Sequence, residues 1–240
     1  ASDVYKRQVY NGRFQPETYL ELLQDYQINV LCCTPTEYRM MAKLSNLNDY
    51  HLEHLHSAVS AGEPLNREVV EQFKNNFNLT VRDGYGQTES TLLIGFLKDT
   101  EPRPGSMGKG IPGSFVTIID DDGNEVPPQT KGNIAVPLDL PALFKGYYKD
   151  EERTKAAAAG YYYVTGDLAH KDEDGYFWFE GRRDDIIISS GYTIGPFEVE
   201  DALTNHPAVK ECAVVASPHE IRGNIVKAFI ILQNLSLIHI

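Results

Sequence analysis

The sequence predicts an α/β fold in two parts. A parallel-sheet α/β portion with an antiparallel β unit is expected over residues 9–181, and part of a small α+β unit over 182–234. Three observations predict it. Helical and strand-like patterns alternate over residues 14–83 with short links, as parallel strands joined by helices do. After residue 105, strand-like runs are separated by turns such as Asp121-Asp122-Gly123-Asn124, an antiparallel signature. The charged segment Gly181-Arg182-Arg183-Asp184-Asp185 then interrupts the apolar pattern and marks the expected domain boundary.

Taken in order, Phe14-Gln15-Pro16-Glu17 opens a helix to about Tyr26, with proline early and acid in the first turn. Tyr19, Leu22, Leu23 and Tyr26 recur at helical spacing. Residues 28–33 form a continuous apolar run and predict a buried strand that includes Cys32 and Cys33. Thr34-Pro35 starts a second helix to about Lys43. A short strand at 55–60 ends in Gly62-Glu63-Pro64, a helix covers 65–77 with Val69, Val70, Phe73 and Phe77 inward, and a short strand covers 80–83. Residues 115–119, 131–136, 161–164 and 176–180 read as strands, and the alanine run 156–159 reads as helix. Beyond the charged segment come a strand at 186–189, a helix near 197–205, and strands at 208–216 and 225–232.

Of the 240 residues, 42% are hydrophobic, and 34 acidic against 22 basic residues give a net charge of -12. That composition is globular, and its acidity argues against a nucleic-acid partner, which needs a basic face. No apolar run is long enough for a membrane span, and the N-terminus does not read as a signal peptide. The three cysteines lack C-x-x-C spacing, so a disulfide framework or zinc site is not expected, and a reducing, cytoplasmic setting is. The termini carry a different signal. Asp3-Val4-Tyr5-Lys6-Arg7-Gln8 can be encoded by GAT GTG TAT AAG AGA CAG, whose reverse complement encodes Leu235-Ser236-Leu237-Ile238-His239-Ile240. This resembles a transposon sequencing adapter read in opposite senses. Residues 1–8 and 235–240 are therefore expected to be non-native, and the chain an open fragment.

The most informative stretch is Asp83-Gly84-Tyr85-Gly86-Gln87-Thr88-Glu89-Ser90. It follows a strand, and its glycines let backbone approach a ligand. An aromatic ring, a hydroxyl and a carboxylate in succession suit a purine, a phosphoryl oxygen and a metal ion. The same residues also read as a β–α turn in which Thr88 caps a helix and Glu89 favours its N-terminus. Thr165-Gly166-Asp167-Leu168 places an acid after a strand, where it could accept both ribose hydroxyls or simply close a turn. Phe179-Glu180-Gly181-Arg182-Arg183-Asp184-Asp185 follows, a candidate site segment or a solvated loop. Gly108-Lys109-Gly110-Ile111-Pro112-Gly113 fits G-x-G-x-x-G but contains proline and precedes a β-rich run, so it reads as a turn, not a dinucleotide loop. His206-Pro207 reads as a helix end, and His51, His54 and His56 as ordinary residues rather than metal ligands.

Together with Ser60-Ala61-Gly62-Glu63-Pro64-Leu65, Gly105-Ser106-Met107-Gly108-Lys109 and Gly191-Tyr192-Thr193-Ile194-Gly195-Pro196-Phe197-Glu198, these motifs resemble the adenylate-forming superfamily over essentially all of residues 9–234. The last string is most similar to the medium-chain acyl-CoA synthetase branch. The resemblance implies the later part of a large AMP-binding domain at 9–181 and the hinge and first part of a small C-terminal domain at 182–234. It implies ATP, Mg2+ and CoA, and a carboxylic acid that is activated to acyl-AMP and transferred to CoA. By the same resemblance, Gly62, Glu63 and Pro64 line the adenine pocket, and Tyr85 lies against the base within the binding segment Asp83, Gly84, Gly86 and Gln87. Thr88 contacts the α-phosphate, Glu89 helps hold the metal, and Asp167 and Arg182 hold the ribose beside Phe179. Asp184 is the hinge, Gly191 flanks the pantetheine tunnel, and Arg222 meets CoA.

The family's Gly/Ser/Thr-rich phosphate loop and its catalytic lysine have no counterpart within residues 9–234, so the chain alone is not expected to form acyl-adenylate. Thr193 stands where related synthetases often carry an arginine that reaches phosphate. Gly86 stands where acetate-using relatives carry tryptophan, which predicts a larger acyl pocket and a medium-chain, branched or aromatic acid. The competing readings are an adenylation enzyme that loads a carrier protein, a non-catalytic nucleotide-binding homologue, and an unrelated α/β domain with a β module.

Overall fold

A computed structural model describes residues 10–206 and 208–232. Both tag-like ends and Pro207 lie outside the described residues. The chain opens with α1 (Pro16–Asp25), β1 (Val30–Cys33), α2 (Pro35–Ala42), β2 (Ser57–Ala61) and α3 (Arg67–Phe77). Helix α2 starts where the sequence demands. The Thr34 hydroxyl accepts from the Glu37 N–H while the Glu37 carboxylate accepts from the Thr34 N–H, and Pro35 occupies the first turn. Helix α3 ends at Asn78, whose left-handed backbone (φ 52°) suits a short amide side chain.

Strands β1 and β2 pair in parallel, as do β2 and β3 (Val81–Gln87), with Ser60 opposite Asp83. Helices α1 to α3 bury Leu20, Tyr38, Met41 and Phe73 against one face of these strands, and the Tyr38 and Phe73 rings meet edge-on at 5.2 Å. Strand β1 alternates instead of being buried throughout. Leu31 and Cys33 point into this core, whereas Val30 and Cys32 are exposed, because β1 forms the edge of the described sheet and only one of its faces is covered.

The sheet then changes sense. Strand β3 extends past the predicted 80–83 and turns directly into antiparallel β4 (Thr91–Gly95). The β–α turn reading of Thr88 and Glu89 is thus incorrect: pairing of 84–87 with 91–95 makes a hairpin where a helix cap was also legible. Strand β5 (Gly108–Gly110) pairs with β4, so the first half of the glycine motif is strand and the turn falls after it. Then come β6 (Thr117–Ile119), β7 (Gly132–Pro137), α4 (Glu151–Ala156) and β8 (Ala158–Ala159). The alanine run is not continuous helix. Ala158 and Ala159 pair with the next strand, which recruits their backbone. Strands β9 (Tyr162–Lys171) and β10 (Tyr176–Arg182) complete a ten-stranded sheet among the described residues, in the order β1-β2-β3-β4-β5-β10-β9-β7-β6 with β8 beside β9. Its second core holds Leu93, Ile94, Ile118, Ile134 and Phe177.

After a single 3-10 turn at Arg183–Asp185, β11 (Ile187–Ser189), β12 (Tyr192–Ile194), α5 (Pro196–Thr204), β13 (Val209–His219) and β14 (Gly223–Leu232) build a separate antiparallel sheet, β12-β11-β14-β13. Strand β12 is only three residues long and mostly exposed, too short a run to read as a strand from the sequence. The second unit contacts the first through side-chain donors. The Lys43 ammonium donates to the carbonyls of Val209 and Lys210 at 2.9 and 2.8 Å, and the Asn66 amide to Asp201 at 3.1 Å.

Candidate active site

A cleft of about 740 Å³ opens at the C-terminal ends of parallel strands β2 and β3, where ligands of α/β sheets characteristically bind. Its floor is Gly62-Glu63-Pro64 and residues 83–87; Asp167, Phe179 and Arg182 form one wall, and Phe197 with residues 214–216 of β13 close it from the second unit. Twelve sequence-predicted residues thus meet there: Gly62, Glu63, Pro64, Asp83, Gly84 and Tyr85 on one side, and Gly86, Gln87, Asp167, Phe179, Arg182 and Asp184 on the other.

Asp167 reaches the cleft because alternation along β9 turns Tyr163, Thr165, Asp167 and Ala169 to the buried face. Tyr85 donates to its Oδ2 at 2.6 Å and the Gln87 amide at 2.8 Å, and Arg182 lies directly across the β9–β10 pair. Burial raises the Asp167 carboxyl, while the Tyr85 hydrogen bond and then the Arg182 charge oppose the rise. A bulge lets Arg182 share the cleft with Phe179. Register shifts between Phe179 and Gly181, leaving Glu180 as the extra residue. Glu180 is pinned outside by Lys131 at 3.2 Å and His170 at 2.6 Å.

Asp83 is more perturbed. Burial pushes its carboxyl up to about 7, against the pull of N–H donors from Gly84 (2.9 Å) and Leu65. Glu63 contributes backbone to the cleft while its carboxylate turns to Arg39 (3.0 Å) and Thr36 (2.7 Å). Gly86 has a packing reason to be glycine. A Cβ there would overlap the Thr91 carbonyl, so the residue permits the close approach of β3 and β4.

Four predicted residues do not line the cleft. Thr88 is exposed at the hairpin tip. Glu89 lies beside it, partly buried, its Oε1 accepting from Tyr147 at 3.0 Å. Gly191 and Arg222 are exposed on turns of the second unit, brought together where the Ser190 N–H donates to the Arg222 carbonyl at 3.0 Å. His51, His54 and His56 are exposed. Sequence reasoning missed Tyr147 and Tyr163, the partners of Glu89 and Gln87. The period-two pattern that exposes Asp167 also marks Tyr163; nothing periodic marks Tyr147, which lies in a loop.

Comparison with known proteins gives the chain's family. The chain matches the AMP-binding enzyme family over residues 7–148 and the AMP-binding enzyme C-terminal domain over 198–238. It belongs to the AMP-binding enzyme family. It is 67% identical over 226 residues to the uncharacterised acyl-CoA ligase YtcI of Bacillus subtilis, a match covering 94% of this chain and 43% of YtcI. It is 47% identical to the mitochondrial acyl-coenzyme A synthetase ACSM3 of Rattus norvegicus, over 93% of this chain and 39% of that protein. The anthranilate CoA ligase AuaEII, solved with anthranoyl-AMP, superposes with a TM-score of 0.85 at 31% identity, over 93% of this chain and 43% of AuaEII. The chain thus spans less than half the length of these relatives. Among the described residues no helix is long and apolar enough to cross a membrane.

Proposed function

We propose that the protein carrying this chain is an ATP-dependent, AMP-forming acid–CoA ligase. The carrying observation is the convergence of Tyr85, Asp167 and Arg182 with the Gly62-Glu63-Pro64 backbone on one cleft. The cleft is large enough for a nucleotide, with an aromatic ring for the base and a braced carboxylate for the ribose hydroxyls. In this reading, a carboxylate attacks the α-phosphorus of ATP to give acyl-AMP and pyrophosphate. The CoA thiol then attacks the acyl carbon and AMP leaves. Thr88 contacts the α-phosphate, and Gly191 and Arg222 face CoA.

The donor set near Glu89 fits a hard divalent cation. One oxygen is held by Tyr147, and the other has no hydrogen-bond partner among the described residues. Mg2+ commonly takes only one or two carboxylates beside substrate phosphates and water. Glu89 is therefore the residue that would hold Mg2+, whose charge would offset that of the triphosphate.

We further divide the chain into a large-domain part (9–181) and a small-domain part (182–234), with Asp184 as the hinge. A medium-chain, branched or aromatic acid is the proposed substrate. An acyl substrate is supported by the relatives' names, and an aromatic one by AuaEII, an anthranilate CoA ligase. The free cysteines suit a cytoplasmic setting. The test is acid-dependent ATP–pyrophosphate exchange by the full-length protein, with Asp167→Ala expected to raise the KM for ATP at least tenfold. Wild-type protein inactive with every acid class, or unchanged by that substitution, would refute the proposal.

A further inference from the structure

We propose that Arg39, Asn66 and Asp201 form a clasp that couples nucleotide in the cleft to docking of the second unit. The inference rests on the functional reading above and extends it to residues with no role assigned there.

The path from the cleft to the second unit is continuous. Glu63 belongs to the cleft floor, and Pro64 narrows its backbone freedom. The Glu63 carboxylate accepts from Arg39 Nη2 at 3.0 Å and from the Thr36 hydroxyl at 2.7 Å. The other arm of the guanidinium, Nη1, donates to Asn66 Oδ1 at 2.9 Å. Asn66 Nδ2 donates to Asp201 Oδ1 at 3.1 Å and, at 3.5 Å, to the Thr204 hydroxyl, both on α5. A guanidinium only donates and an ionised carboxylate only accepts, so the amide between them has one orientation. The planar guanidinium holds Glu63 and Asn66 in a fixed relation, so a shift of the floor is passed to α5.

Two observations single out this path. Asn66 is buried at the N-cap of α3, yet its side chain makes no cap hydrogen bond. Asparagine at that position ordinarily accepts from the first turn of its own helix. Here Arg39 and α5 have taken both ends of the amide, a local preference set aside for a long-range contact. Around these side chains a cavity of about 600 Å³ lies between the units, lined by Arg39, Lys43, Asn66, Thr204 and Lys210 among others. A few polar side chains therefore bridge a gap here. Lys43 crosses the same gap to the Val209 and Lys210 carbonyls, but makes no hydrogen bond to Glu63 or Asn66 among the described residues.

A packing contact alters the opening of α5 equally with and without nucleotide; a coupling contact alters the ratio of the two. The experiment is hydrogen–deuterium exchange of the full-length protein, with and without saturating α,β-methylene-ATP and Mg2+. The readout is the factor by which the analogue slows residues 201–206, which do not line the cleft. That factor is expected to be about fivefold in wild type and about one in Asn66→Asp, where two carboxylates oppose, and in Asp201→Ala. The double variant Asn66→Asp/Asp201→Asn exchanges donor and acceptor across the gap and should recover most of the slowing. Lys43→Met loosens docking without cutting the path, so exchange rises in both states and the factor stays as in wild type. Slowing of 201–206 that survives either single variant, that the double variant fails to recover, or that Lys43→Met also abolishes overturns the clasp. Asp201→Ala is decisive alone if Asn66→Asp fails to fold. A wild type in which the analogue slows neither 83–87 nor 201–206 refutes the functional reading and the clasp with it. Slowing at 83–87 alone overturns only the clasp.

Discussion

Replacing Asp83 by asparagine should abolish the pH dependence that this position imposes on stability. In the folded chain its carboxyl is pushed up to about 7 from the ordinary 3.8. Below the ordinary value both folded and unfolded chains carry the proton, and Asp83 imposes no penalty. As pH rises from about 4 to about 7 the unfolded chain ionises while the folded chain retains the proton, so stability falls. The loss grows by about 1.4 kcal/mol per pH unit and levels off above pH 7. Between pH 5.5 and pH 8 it amounts to about 2 kcal/mol, or about 4–8 °C in Tm for a chain of this size. Asparagine keeps an oxygen to accept from the Gly84 N–H and never ionises. The assay is thermal unfolding of wild type and Asp83→Asn at both pH values. The Tm difference, variant minus wild type, should rise by that amount at the higher pH. A difference constant to within about 1 °C would refute buried ionisation as the cause.

Two further outcomes test the fold beneath the site. Gly86→Ala should destabilise by about 1–3 kcal/mol, since its methyl would displace the Thr91 backbone, whereas a variant of wild-type stability in urea would show the hairpin to be looser than described. Thr34→Ala removes the capping box of α2 and should cost about 1 kcal/mol, read as a lower urea midpoint at unchanged slope; an unmoved midpoint would show that the cap contributes nothing.

Much of the site was legible because its residues sit where strand meets turn, and such junctions leave strong local marks. The glycines of residues 83–86 could be seen without a partner strand, whereas β9 runs on through Asp167 to Lys171, past the strand expected at 161–164 with the acid after it. Features decided by long-range pairing were not legible. Thr88 and Glu89 read locally as a possible helix start, and only the pairing of β3 with β4 rules it out. The alanines after α4 have high helix propensity, yet two of them are recruited by β9. Cys32 reads as buried from its apolar neighbours, but exposure depends on what covers the edge of the sheet. Gly86 was legible as significant, but its packing role was not, since its neighbour Thr91 comes from the next strand.

The bulge at Glu180 has a consequence for how such a site is inherited. In an unbroken pleat, residues 179 and 182 would face opposite ways, and the arginine would leave the ring behind. The extra residue restores parity, so the pairing of Phe179 with Arg182 in one wall is stored as a count of residues. Every side chain could be retained and the wall still lost by deleting Glu180 alone. Comparison by residue identity would score that deletion as a single gap, whereas its physical effect is to rotate a cation out of the cleft.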